Sequence, residues 1–417
     1  MVFVGAEGAG SAASHPNLCV LDLEARRVEI RTRSLQRGLQ GWLDVRSRSF
    51  SLHLWADLWV TRDDSAAYAR VQNGGRMQIC RIALTGTELV QPVVGGDRCC
   101  ILLDMVDERL LFSVDDITHP PELYIATIEG GEERQMTQMN SSLISELELG
   151  DCVHLACRGI DGAALEGWYV KPANGRAPPF PTVLWIHGGP FGAQGYSFDF
   201  DTALLNSLGI GVMFFNYRGS SGYGDAFSMA PLGDWGNLDY HDLMAGVDAA
   251  IAAGIADPER LGVCGNSFGG AMSCFIVGKT QRFQAAVPQN PVTDWQSFYG
   301  TSDIGVWFSV EELGGHPHEV PDTYRRCSPI TYAHNCRTAT LLIQCEEDWR
   351  CPPGQSEQFY TVLRANGCDA EMLRLPRCSH LGSILGPLSM RQEYLRSMLE
   401  WFTKHLLNPV GENGYEC

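Results

Sequence analysis

The amino-acid sequence predicts an α/β protein: a mostly parallel sheet covered by helices on both faces over residues 151–417, preceded by a β-rich segment over residues 1–150. Three observations carry that expectation. Short, almost wholly apolar runs recur after residue 180, as strands buried on both faces require. Amphipathic stretches of helical length separate them. Before residue 150, strand-length runs alternate with turn signals and helical periodicity is scarce.

In chain order, residues 18–23, 77–84, 109–114 and 123–128 read as strands. Residues 115–121, with two aspartates and two prolines, form a turn into the last of these, and Glu129-Gly130-Gly131-Glu132 a turn out of it. The segment reads as antiparallel, propeller-like or sandwich-like β structure. Residues 139–150 are the candidate linker. Beyond it, residues 183–186, 212–215, 261–264, 285–287 and 340–343 are the apolar strands, and 239–253, 355–366 and 390–405 the amphipathic helices. The Pro-rich residues 171–181 read as a loop within this second region.

Composition narrows the function. With 45% hydrophobic and 19% charged residues the chain is globular rather than disordered. Its formal net charge of −18 repels phosphate backbones and anionic lipid, so neither nucleic acid nor a membrane surface is expected as a partner. No apolar stretch reaches a bilayer span, and the opening residues lack the pattern of a secretory leader. The 15 cysteines are scattered without a C-x-x-C, which suggests neither a disulfide framework nor a zinc ribbon. A soluble cytoplasmic protein is the expectation.

The chemistry starts at Gly265-Asn266-Ser267-Phe268-Gly269, a G-x-S-x-G sequence between an apolar strand and a helix start. The glycines permit a tight strand-to-helix turn that exposes the serine hydroxyl, the nucleophile elbow of α/β-hydrolases. A serine hydroxyl is a weak nucleophile at neutral pH, so a base and a residue to orient it must follow. In that fold the chain order is serine, acid, histidine. Asp348 follows the strand at 340–343 and its exit, and His380 follows the strand-like run 370–375. Of the histidines beyond Asp348, His405 lies in the terminal helix, where a solvated surface role is expected, which leaves His380 as base. Glu346 and Glu347 are alternatives to Asp348, set aside because a residue at the loop apex reaches the imidazole more easily. For the oxyanion, the Phe268 N–H and the Gly189 N–H of His187-Gly188-Gly189-Pro190 are the expected donors.

Other residues carry weaker signals. His316-Pro317-His318-Glu319 reads as a turn rather than a metal site, since proline interrupts the ligand spacing. Gly219-Ser220-Ser221-Gly222-Tyr223-Gly224 lacks the lysine of a phosphate-binding loop. Trp295, Phe298, Tyr299, Trp307 and Phe308 have the near-helical spacing of core residues, yet lie where they could wall an apolar pocket, and both readings stand. Phe191 joins them as a candidate for substrate binding.

Together these motifs resemble the prolyl oligopeptidase family, above all its acylaminoacyl-peptidase and dipeptidyl-peptidase-like branch. The resemblance covers residues 151–417 and runs in the family's order through His187–Pro190, Asn216–Gly224, Gly265–Gly270, Ser328-Pro329-Ile330, Asp348-Trp349-Arg350 and Ser379-His380. It implies Ser267, Asp348 and His380 as the triad and Phe268 and Gly189 as oxyanion donors. It also implies Arg350, in the family's D-x-R, as a donor to a substrate main-chain carbonyl, which favours peptides over esters. Family members carry a seven-bladed propeller ahead of the hydrolase domain, whereas 150 residues supply about three blades. The expectation is a partial propeller, from an incomplete chain or a shortened enzyme with a more open site, whose exposed β edges invite homo-oligomers. No paired-glutamate motif for a free amino terminus stands in this segment, which disfavours dipeptidyl release. The expected activity is a serine peptidase acting on short peptides or acyl-peptides, with no cofactor and no metal. A carboxylesterase with the same triad is the alternative, and a catalytically silent interaction protein the rival from another class.

Overall fold

The computed structural model describes residues 1–6, 14–39, 42–43, 58–87, 89–147, 149–173 and 177–407. Residues 44–57 of the β-rich segment and 174–176 of the Pro-rich stretch lie outside the described residues. The chain forms two compact units. The first comprises Met1–Glu148, Pro190–Phe200 and Asn216–Ala230, and the second Leu149–Gly189, Asp201–Phe215 and Pro231–Cys417.

The first unit is β-rich. Val2–Gly5, Asn17–Asp22 and Arg27–Ile30 form an antiparallel sheet. A larger, eight-stranded sheet contains Ala66–Asn73, which is buried along nearly its whole length. Successive side chains of a strand point to opposite faces, and both faces of this one are covered. Tyr68 packs with Ile79, Leu102 and Phe112 on one side. Ala67, Ala69 and Val71 pack with Leu18, Leu39 and Ile82 on the other. The later segments are tied in by specific bonds: Ser197 Oγ donates to Asp115 Oδ2 at 2.6 Å and Ser221 Oγ to Gln72 Oε1 at 2.7 Å. Residues 139–150, read from sequence as a linker, contain a short helix, Ser141–Glu146.

The second unit is an α/β-hydrolase fold. Its strands are β1 (Cys152–Arg158), β2 (Ala164–Val170), β3 (Phe180–Ile186), β4 (Gly211–Asn216), β5 (Ala256–Asn266), β6 (Ala285–Gln289), β7 (Ala339–Cys345) and β8 (Ala370–Leu375). They lie in the order β1-β2-β4-β3-β5-β6-β7-β8. β1 and β2 form an antiparallel pair, and among the described residues β3 pairs in parallel with β4 and β5, β5 with β6, β6 with β7 and β7 with β8. Every residue of β3 and of β6 is buried, which explains why these runs read as continuously apolar. The helices used below are α1 (Leu238–Ala252), α2 (Phe268–Lys279), α3 (Trp295–Thr301), α4 (Gly305–Leu313), α5 (Pro353–Ala365) and α6 (Leu388–Phe402). Because β3 and β5 to β8 are parallel, their carboxyl ends share one edge, where functional loops of open α/β sheets collect. Among the described residues no helix is long and apolar enough to cross a membrane.

Candidate active site

The turn from β5 into α2 holds Ser267 at φ 62° and ψ −119°. A non-glycine residue in such a conformation costs about 1–3 kcal/mol and persists only where its surroundings enforce it. Two glycines enforce it here. A Cβ on Gly269 would collide with the Ile186 carbonyl of β3, and one on Gly265 with that same oxygen and the Gly269 backbone. The Ser267 N–H donates to the Gln289 carbonyl at 2.9 Å, which fastens the turn to the end of β6. The serine side chain does not cap α2, so its hydroxyl is not consumed there. Its Oγ lies 4.0 Å from Cys351 Sγ, and among the described residues it makes no hydrogen bond with the His380 ring. Burial pushes the Cys351 thiol well above its ordinary range, so this neighbour is a neutral one.

His380 and Asp348 meet directly. The His380 Nδ1 to Asp348 Oδ2 distance is 2.7 Å, and the aspartate side chain is fully buried. The other carboxylate oxygen accepts the backbone N–H groups of Arg350 at 2.9 Å and Cys351 at 2.8 Å. Both oxygens are thus occupied and the carboxylate cannot swing away. A hydrogen on Nδ1 facing Asp348 leaves Nε2 as the ring's proton acceptor. Glu346 and Glu347 are exposed, and Glu346 pairs with Arg374 instead. His405 is not solvated as expected: it packs on the Trp401 ring, with centroids 4.5 Å apart, in the turn after α6.

The acid loop is clamped from outside. Arg350 donates through Nε and Nη2 to the two Asp303 oxygens at 2.8 and 3.3 Å. Ser302 Oγ donates to the Arg350 carbonyl at 2.7 Å, and the Asp303 N–H to the Trp349 carbonyl at 2.9 Å. The Arg350 hydrogen bond holds the Asp303 carboxyl below the usual carboxylate range. Nη1 is the guanidinium nitrogen not spent on this pair.

The loop after β3 lies against the elbow. A Cβ on Gly188 would stand 3.1 Å from the Asn266 carbonyl oxygen and 3.5 Å from Ser267 Cβ, and Gly189 has φ 128°. Such an approach to another backbone is open to residues without a side chain. His187 Nδ1 hydrogen-bonds the neighbouring Gly188 carbonyl at 2.9 Å. Phe268 opens α2, where first-turn N–H groups have no acceptor within the helix.

The aromatic candidates divide. Trp295 and Phe298 are buried in a cluster that reaches the elbow through Trp235, whose ring lies 4.3 Å from Phe268 and 4.7 Å from Trp295. Tyr299 is bonded through its hydroxyl to His316 Nδ1 at 2.9 Å, Trp307 is half exposed on α4, and Phe191 belongs to the first unit. The sequence reading missed Trp235 and Glu312, since neither lies in a motif. Trp235 Nε1 donates to Glu312 Oε2 at 2.9 Å, and burial pushes the Glu312 carboxyl up to about 8. Among the described residues no group of three or more His, Cys, Asp or Glu could hold a metal ion.

The prolyl oligopeptidase family model matches residues 196–409. A Bacillus subtilis (strain 168) relative, "Uncharacterized peptidase YuxL", is 37% identical over 84% of this chain and 53% of its own length. The acylamino-acid-releasing enzyme of Arabidopsis thaliana is 35% identical over 58% of this chain and 32% of its own. Among solved structures, an acylaminoacyl peptidase in complex with Z-Gly-Gly-Phe-chloromethyl ketone superposes with a TM-score of 0.87 at 29% identity, covering 100% of this chain and 62% of that one. The uncomplexed Pyrococcus horikoshii acylaminoacyl peptidase gives 0.86 at 28% identity, covering 100% and 63%. The chain therefore spans about half the length of the first of these relatives and under two thirds of either solved chain. A strained serine between glycines, a buried acid–histidine pair in the family's order and a family match over half the chain lead to one conclusion: this protein belongs to the prolyl oligopeptidase family, a family of serine peptidases.

Proposed function

We propose that this chain is a serine peptidase that cleaves short peptides, including N-acylated ones, with residues 151–417 carrying the chemistry. The observation that carries the reading is the 2.7 Å bond between His380 Nδ1 and the buried Asp348, in the same unit as a serine held in left-handed backbone. Ser267 Oγ attacks the scissile carbonyl carbon while His380 Nε2 takes its proton. Asp348 holds the imidazole in the required tautomer and stabilises the imidazolium. The oxyanion is met by the N–H groups of Gly189 and Phe268, each lowering the barrier by about 3 kcal/mol. The imidazolium then protonates the leaving amine, and water, activated by the same ring, releases the acyl group from Ser267. The names of the matched acylamino-acid-releasing enzymes support an acylated amino end as substrate. Arg350 supports peptides over simple esters, because its Nη1 would donate to a main-chain carbonyl that an ester lacks.

Turnover of an N-acyl-phenylalanyl p-nitroanilide and of a p-nitrophenyl ester tests this. Ser267→Ala should abolish both, and Arg350→Ala should lose about tenfold or more on the anilide with ester turnover kept. Indifference of both substrates to Arg350→Ala would favour a carboxylesterase. No turnover and no fluorophosphonate labelling of the wild type would favour a silent interaction protein.

A further inference from the structure

Ser267, Asp348 and His380 leave the sheet after three different strands, and the bond between His380 and Asp348 does not fix the elbow to either of them. One buried side chain reaches all three loops. Asn290 is the first residue past β6, buried between β5 and β7, with φ 40°. Its Nδ2 donates to Asn266 Oδ1 at 3.0 Å, next to the nucleophile, and to the His380 carbonyl at 3.0 Å, with a longer contact to Cys345 Sγ at 3.6 Å. Its Oδ1 accepts the Cys345 N–H at 2.8 Å, where β7 runs into the acid loop. The main chain adds two more ties: the Asn290 N–H donates to the Ile343 carbonyl at 2.9 Å, and the Gln289 carbonyl receives the Ser267 N–H at 2.9 Å.

A primary amide offers two donors and an acceptor in one plane, and here each goes to a different loop of the site. Burying that amide costs free energy unless it is fully bonded, and an apolar residue would fill the space without that requirement. None of its side-chain bonds stabilises a distant part of the core; each ends at a segment that carries one of the reacting or orienting groups. We infer that Asn290 is a positioning residue that fixes the nucleophile elbow relative to His380 and the acid loop, so that the hydroxyl and the imidazole come into line when substrate binds. The inference rests on the triad reading above.

Asn290→Gly removes the amide and tolerates the left-handed backbone; Asn290→Asp keeps size and the acceptor but replaces the donors with oxygen. Both are compared with wild type in kcat, KM, fluorophosphonate labelling rate and circular dichroism, with Ser267→Ala as control. The expected result for a folded variant is a fall in kcat and labelling rate of about 10- to 100-fold, as displacement of reacting groups produces, with KM within about twofold. A folded variant with kcat and labelling at wild-type values overturns the inference. So does failure of both variants to accumulate as folded protein, since Asn290 would then be a folding residue. If Ser267→Ala still labels and turns over, the triad reading is what fails.

Discussion

Ser267 and Asn290 stand at the carboxyl ends of neighbouring parallel strands, and both hold left-handed backbone, at φ 62° and 40°. Yet one announces itself in the sequence and the other does not. The elbow is built from residues within two positions of the serine, so its glycines form a readable motif. Asn290 acts on partners 24, 55 and 90 residues away, and its neighbours Gln289 and Pro291 form no pattern. Chemistry that depends on local backbone shape is written locally; chemistry that depends on holding separate loops together is visible only once the sheet has assembled.

That contrast can be broken or sharpened experimentally. Ser267→Ala should cost about 10⁶-fold in kcat, far beyond any Asn290 variant; comparable losses would erase the distinction between reacting and positioning groups. Asp348→Asn should cost about 10⁴-fold, through the wrong histidine tautomer, with the unfolding midpoint little changed. Gly269→Ala tests the local side: its methyl meets the Ile186 carbonyl, and a loss of about 1–3 kcal/mol in chemical denaturation is expected, with fluorophosphonate labelling reduced.

A smaller effect should come from Glu312, whose carboxyl is pushed up to about 8 by burial. Its folded value lies above the unfolded one of about 4.3, so the native protein retains a proton that the unfolded chain releases. The stability this provides is full below about pH 4 and is lost as pH rises through about 8. Glu312→Gln should flatten the unfolding midpoint across that window; an unaltered slope would show that other groups set it. The smallest effect belongs to Asp303→Asn. Its pair with Arg350 is nearly half exposed on both sides, and such pairs contribute about 0–1 kcal/mol. A thermal midpoint shifted by no more than a few degrees, with anilide turnover reduced more than ester turnover, would separate orientation of Arg350 from stability.

The strands of the second unit were legible because burial on both faces leaves continuous apolar runs; the run at 285–287 is the first three residues of β6, which is buried throughout. The pairing of Asp348 with His380 was legible from the strands that precede them. The packing of His405 on Trp401 was not, because the last turn of a terminal helix carries no sign of what covers it. Nor could the sequence separate Trp295 and Phe298, which are buried around Trp235, from Trp307, which is half exposed. Helical spacing is shared by core and pocket residues alike. Trp235 and Glu312 escaped notice because their bond joins residues 77 positions apart. The return of Pro190–Phe200 and Asn216–Ala230 to the first unit was likewise hidden, since the bonds from Ser197 to Asp115 and from Ser221 to Gln72 are between distant residues.

Peptide mapping by mass spectrometry after reaction with a fluorophosphonate tests most directly whether Ser267 is the nucleophile. The prediction is a single phosphonyl adduct, approaching one per chain, on the peptide containing Ser267, formed orders of magnitude more slowly when His380 is replaced by alanine. An adduct on another residue, or none on a folded wild-type protein, would contradict it.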